Sequence, residues 1–302
     1  MSAVEQPAPT GPIEIDLTTP DIGRRRLSWW IWGGVGAVAL VGIARFMIVT
    51  PGWQWNVVAE YLFKPEILRG VMNTIWLTVL SAITGLIAGG LVAFLRMSEN
   101  PAFRAAGTAF IWLMRAIPAL VVLLFIFFMG ALVPEFTFGI PFTDVTFFSV
   151  KTNDVINKFS AALIGLTLIQ AAYVGEIYRA GILSVSKGQY EAAGAIGMTR
   201  AQAMRRIIMP QAIRVIIPPL SNELITLFKS TSLVSVIGFT ELLTSVQLVY
   251  GRTYQTIPML LVACLWYLLL TSIAMVGQSA LEKRYSKGFV RRSKLKTLEV
   301  PA

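Results

Sequence analysis

The chain has 302 residues, of which 55% are hydrophobic and only 14% charged, against about 25% charged in soluble globular domains. That balance, with a mean hydropathy of +0.67, excludes a soluble domain and points to a protein that crosses a membrane many times. The chain has no histidine and a single cysteine, Cys264, so neither a metal centre nor histidine-based catalysis is expected, and the net charge of +10 reads as cytoplasmic-side basic residues rather than a nucleic-acid surface.

In chain order, residues 1–28 carry Pro7, Pro9, Pro12 and Pro20 among polar and acidic residues and read as a disordered tail. Apolar segments follow near 29–49, 70–96, 107–132, 160–180, 213–240 and 257–279, which predicts an all-α integral membrane protein of about six spans. The first apolar run outlasts a signal-peptide core and reads as an uncleaved accessory anchor over 29–50. Gly85 and Gly89 form a G-x-x-x-G pair in the second span, suited to packing against another helix of the chain or of a second copy. The segment 133–158, with Pro134, Gly139 and Pro141, is too long for a simple connection and reads as a small outer cap or docking surface.

Basic residues fall unevenly between the connections. Arg24, Arg25, Arg26, Arg96, Arg104, Arg179, Lys187, Arg200, Arg205, Arg206, Arg214 and the basic tail 281–302 share one side, against Lys64, Arg69, Lys151, Lys158 and Arg252 on the other. The positive-inside rule then places both termini in the cytoplasm.

Ionisable and polar groups inside spans are costly and tend to face protein or water. Asn222, Glu223, Thr226, Lys229 and Ser230 fall on one helical face, where a carboxylate and an ammonium could meet both ends of a free amino acid, or else neutralise partners on neighbouring helices. Thr231 and Ser232 join that face only if the helix breaks near Lys229. Arg115, just before Pro118, is a candidate for a substrate carboxylate or for an ion pair with Glu176 or Glu223; Gln170 and Glu176 are equally open, with Arg179 one turn beyond Glu176.

The polar stretch between the fourth and fifth spans reads EAAGAIGMTRAQAMRRIIMP from Glu191 to Pro210. Ser186 with Gln189 predicts a capping box, Gly197 a left-handed helix end, Thr199 with Gln202 a second capping box, and Pro210 a stop after Met209. The first of these short helices is lined by Ala192, Ala193, Gly194 and Ala195, small enough for close approach to another protein's groove or to lipid headgroups.

This loop resembles the signature of permease subunits of type I ATP-binding-cassette importers, in the group for polar amino acids: Glu191-Ala192-Ala193, Gly197, Ile207 and Met209-Pro210. Around it, Glu176, Arg179-Ala180-Gly181-Ile182, Lys187-Gly188-Gln189, Pro210-Gln211-Ala212, Arg214, Pro218-Pro219 and Lys229-Ser230-Thr231-Ser232-Leu233 are similar to the same group, and Arg115-Ala116-Ile117-Pro118 resembles its Arg-Gly-Thr-Pro element. The resemblance covers roughly 66–280, with a coupling loop at about 181–211; the first span and the 133–158 loop exceed the family's five-helix core.

The resemblance implies a pair of such permeases, as two copies or with a homologous subunit, around a central pathway. It also implies separate ATPase subunits below and an extracytoplasmic amino-acid-binding protein above, all in a bacterial inner membrane. The coupling helix would be Lys187 to Gly197, with Tyr190 and Ile196 as apolar anchors and Glu191 orienting its N-terminus. The chain has no G-x-x-x-x-G-K-[ST] phosphate loop, so no cofactor is expected here, and ATP-Mg would sit on the partner. Two other classes remain open on residues alone: an ion-coupled secondary amino-acid transporter, or a membrane scaffold without a pathway.

Overall fold

A computed structural model describes residues 22–140 and 146–285, with side chains from residue 29 onward. The readings of a disordered tail over residues 1–21 and of the basic tail beyond 285 lie outside the described residues.

The chain divides into two compact units after Trp53. The first holds helix α1 (Ile22–Val49), which begins seven residues before the predicted anchor, and a 3-10 turn (Pro51–Trp53). Trp29, Trp30, Val38, Leu40 and Ile48 are among its exposed apolar residues, an all-round apolar surface that suits a membrane-crossing helix. Its end is fastened locally, where the Trp53 indole donates to the Phe46 carbonyl at 3.2 Å.

The second unit begins with α2 (Trp55–Tyr61) and the 33-residue α3 (Pro65–Met97), roughly 50 Å long at 1.5 Å per residue and therefore longer than the hydrocarbon core. It continues through α4 (Pro101–Ala116), α5 (Ala119–Phe127), α6 (Met129–Leu132), strands β1 (Glu135–Gly139) and β2 (Thr146–Lys151), α7 (Thr152–Val155) and α8 (Lys158–Leu183). Next come α9 (Lys187–Ala195), α10 (Arg200–Ala203), a π-turn (Met204–Ile208), α11 (Met209–Ser230), a 3-10 segment (Thr231–Ile237), α12 (Leu242–Thr253) and α13 (Thr256–Tyr285).

Among the described residues, four helices are long and apolar enough to cross a membrane, and the number reaches six if each of two bent pairs counts as one span. The predicted third span is one of the bent pairs: α4 and α5 meet at 102°. Pro118 causes the break, because it forces Ile117 into an extended conformation (φ −90°, ψ 134°) and cannot donate to the turn before it. The second pair, bent by 43°, runs from Arg200 to Thr253 around Gly238, whose φ of 71° ends the 3-10 segment.

The centre of the unit is the crossing of α3 on α8. A Cβ on Gly85 would lie 2.6 Å from Gln170 Cγ, and one on Gly89 would lie 2.6 Å from Val174 Cγ1, so the G-x-x-x-G pair serves a contact within the chain. Leu77, Leu123, Leu166, Leu227 and Val234 fill one core cluster, and Ile67, Leu242, Val246 and Met259 fill another.

Between these clusters lies the fully buried Glu241, which caps α12 by accepting from Thr244 N at 2.8 Å and also accepts from the Tyr267 hydroxyl at 2.7 Å. Thr74 on α3 accepts from Leu242 N at 3.0 Å, so the turn before α12 is tied to the longest helix.

The 133–158 segment contains an antiparallel hairpin, β1 with β2, which the sequence reading left as an undefined cap. Its alternation places Phe136, Phe138, Phe148 and Val150 on one face and Glu135, Thr137, Ser149 and Lys151 on the other.

Candidate functional site

The loop between α8 and α11 is a braced unit. Helix α9 closes with Met198 N donating to Ala193 O at 3.0 Å and Gly197 N to Gly194 O at 3.0 Å, a Schellman end made possible by φ 73° at Gly197. The predicted second capping box is present, with Gln202 N on Thr199 Oγ1 and Thr199 N on Gln202 Oε1. The first is not: Ser186 makes no side-chain cap bond, and the Gln189 amide oxygen instead accepts from Gln211 Nε2 at 3.2 Å. Pro210 also fails to stop the chain. A π-turn places an extra residue before it, Met209 N donates to Met204 O, and the proline enters the first turn of α11 where a missing N–H is tolerated.

Of α9 only Ala193 is buried, at 1% exposure; Lys187, Gly188, Gln189, Tyr190, Glu191, Ala192, Gly194 and Ala195 are exposed, as are Ile196 and Gly197 beyond it. Around Gly188, Gly194 and Gly197 there is open space. Ile196 is 70% exposed, whereas Tyr190 is held to its own chain, its hydroxyl donating to Ile182 O at 3.3 Å. Behind α9, Val185, Ile208, Ala212 and Ile216 form a buried cluster joining the end of α8 to α11. The helices cross so closely there that a Cβ on Gly181 would lie 2.2 Å from Ile216 Cγ1.

The predicted pathway residues separate into groups. Gln170, Glu223, Thr226 and Ser230 line one cavity of about 210 Å³, together with Ala119, Leu166, Ile169, Tyr173 and Leu227. Gln170 is 1% exposed, and its amide nitrogen has no partner among the described residues. Thr226 and Ser230 donate to the carbonyls of Asn222 and Thr226, one turn back. Asn222 and Lys229 are exposed on α11 outside that cavity, and Ser232 donates to Lys229 O.

Three more of the predicted residues line no part of that cavity. Thr231 does sit at a break, the switch to 3-10 geometry, but it is fully buried and donates to Phe228 O, so it belongs to the interior rather than to the cavity. Glu176 is engaged at both oxygens by Arg179, with Nε to Oε2 at 3.0 Å, and lies 3.8 Å from Arg96 Nη2, so it is the centre of an ion cluster. Arg115 forms no salt bridge with Glu176 or Glu223; its guanidinium lies 5.0 Å from the Tyr173 ring centre.

Residues 81–287 match the family of binding-protein-dependent transport system inner membrane components. The chain belongs to that family. Among this permease's relatives, the arginine transport system permease protein ArgU of Corynebacterium glutamicum is 40% identical over 85% of this chain and 81% of its own. The L-cystine transport system permease protein TcyB of Bacillus subtilis is 36% identical over 77% of this chain and 92% of its own.

Among solved structures, an amino acid ABC transporter crystallised with histidines superposes at a TM-score of 0.62, with 33% identity over 74% of this chain and 95% of that one. The inward-facing MetNI methionine transporter, at 20% identity and a TM-score of 0.56 over 73% of this chain and 96% of that one, agrees in fold. This permease is therefore a subunit of the amino-acid ABC importer type, a multi-pass inner-membrane protein.

Two features of the permease escaped the sequence reading. Tyr173 shares a face of α8 with Gln170, three residues away, and that spacing was its available signal. The Arg96 contribution to the Glu176 cluster crosses from α3 to α8 and has no local signature.

Proposed function

We propose that this permease forms the membrane pathway of an ATP-driven importer for polar amino acids, with ATPase subunits docked on α9 and ATP-Mg bound on them. The exposed small-residue helix braced against its own spans carries the reading. Ala192, Gly194 and Ile196 offer a smooth surface with one apolar knob, while Tyr190 and Gln189 fasten the helix to α8 and α11. Force on such a segment moves the spans as a block. A second permease, the same chain or a homologue, completes the pathway, and an extracytoplasmic binding protein supplies the substrate.

The cavity beside α11 is the proposed substrate station. The Glu223 carboxylate, in no ion pair among the described residues, receives an ammonium, and the unpaired Gln170 amide receives a carboxylate oxygen. At about 210 Å³ the cavity lies below the usual range for drug-sized ligands and suits a small zwitterion or basic amino acid, in keeping with the likeness to an arginine permease.

The test is uptake by proteoliposomes holding the permease, its ATPase and the binding protein. Uptake should require internal ATP, and Gly194→Arg should abolish it without loss of folded permease, because that side chain enters open space. Uptake driven by an ion gradient without ATP, or wild-type uptake by the variant, would overturn the reading.

A further inference from the structure

We propose that the elbow between α3 and α4 binds the phosphate of an anionic phospholipid, with Trp112 against the lipid's glycerol and acyl region. The site lies outside the α9 surface and outside the cavity beside α11.

Helix α4 starts with Asn100 capping Ala102 N at 2.9 Å, and Arg104, Thr108 and Trp112 then recur every four residues along one side of it. Arg96, in the last turn of α3, reaches the same place. Glycine at 107 eases that approach: a Cβ there would lie 3.1 Å from both Arg96 N and Arg96 Cγ, a tight contact that would push α3 and α4 slightly apart. The result is an open hollow of about 550 Å³ with Arg96, Arg104 and Thr108 at one end, Trp112 at the other, and Ala105 and Ala109 as its floor.

The charges at the polar end do not balance. Glu176 is the carboxylate within reach, and it is held at both oxygens by Arg179, leaving Arg96 at 3.8 Å. Arg96 Nη1 donates to Thr108 Oγ1, while its Nε is buried without a partner among the described residues. Arg104 is exposed and belongs to no ion pair among the described residues. The nearby Glu99 is taken by Arg200 at 2.7 Å. Two guanidiniums at the end of a membrane helix therefore lack a full counter-charge, an arrangement that calls for an anion.

The other end of the hollow identifies which anion. Trp112 is 69% exposed, and an indole beside arginines marks the boundary between headgroups and acyl chains. A free phosphate would fill the arginine end and leave the indole bare. A phosphodiester carrying acyl chains covers both, and guanidinium forks suit its oxygens.

The full-length permease in neutral detergent supplies the test. Phosphatidylglycerol with brominated acyl chains is titrated against phosphatidylcholine with the same chains, and the fluorescence lost from Trp112 is isolated by subtracting Trp112→Leu. We expect half-quenching at about tenfold lower phosphatidylglycerol than phosphatidylcholine, a gap reduced to within about twofold by Arg104→Gln and kept only in part by Arg104→Lys, which retains the charge without the fork. Equal quenching by the two lipids overturns the proposal. Reversal of phosphatidylglycerol quenching by millimolar inorganic phosphate overturns it too, by assigning the hollow to the free ion.

Discussion

Glu241 and Tyr267 are joined at 2.7 Å in the interior of the second unit, and Thr244 N and Oγ1 supply the carboxyl's other partners at 2.8 and 3.2 Å. Removing one partner of a buried polar pair costs more than the bond itself, because the remaining group loses water and gains nothing. Tyr267→Phe should therefore lower unfolding stability by about 1–3 kcal/mol. Detergent melting reads this, and an unchanged midpoint would contradict the assigned role. Gly89→Leu should be worse, since a Cβ alone would stand 2.6 Å from Val174 Cγ1 and the α3–α8 crossing has no slack; the full chain should aggregate on extraction. Glu223→Gln is the opposite case. The carboxylate lines a cavity and makes no ion pair among the described residues, so this variant should fold normally and raise the substrate concentration needed for half-maximal uptake. Loss of fold instead would assign Glu223 to structure. At this scale the sequence told types apart better than neighbours: the Arg179 partner of Glu176 lies one turn away and was legible, whereas Arg96 lies on another helix and was not.

At the scale of elements, hydrophobic runs and proline positions were readable because they act locally. The spans, the Gly197 end of α9 and the Thr199–Gln202 box follow from short-range rules. What failed was any feature decided by a distant contact. Gln189 gives up its capping role because Gln211 is within reach, and Pro210 continues a helix because a wider turn makes room for it. The β1–β2 pair was missed because each strand is only five or six residues long, too short for its period-two pattern to stand out. The bracing of α9 makes its own prediction. Tyr190→Phe combined with Gln211→Ala removes the two side-chain ties while leaving the exposed surface of Ala192, Gly194 and Ile196 unchanged. ATPase docking should persist, but more ATP should be hydrolysed per substrate imported; an unaltered ratio would show that the ties carry no force.

Across the whole molecule, the positive-inside rule predicts sides for the connections, and the structure groups Arg200 with Glu99 at 2.7 Å, joining the α3–α4 elbow to the α9 side. A fluorescent protein fused after residue 302 should mature, as it does only in the cytoplasm, and a cysteine placed at Thr137 in a Cys264→Ser background should react with an impermeant maleimide from outside intact cells. Labelling only after lysis would reverse the assigned topology. If the first span is an accessory, a chain starting at Gln54, where the second compact unit begins, should still insert and assemble.

The π-turn at Met204–Ile208 amounts to one surplus residue in an otherwise continuous rod from Arg200 to Ser230. Each residue of an α-helix turns the chain by about 100°. Deleting Arg206 would tidy the hydrogen-bond ladder and at the same time screw everything upstream around the rod's axis. Under the docking role proposed for α9, its smooth side would then turn away from the ATPase, so a locally more regular protein would be an uncoupled one.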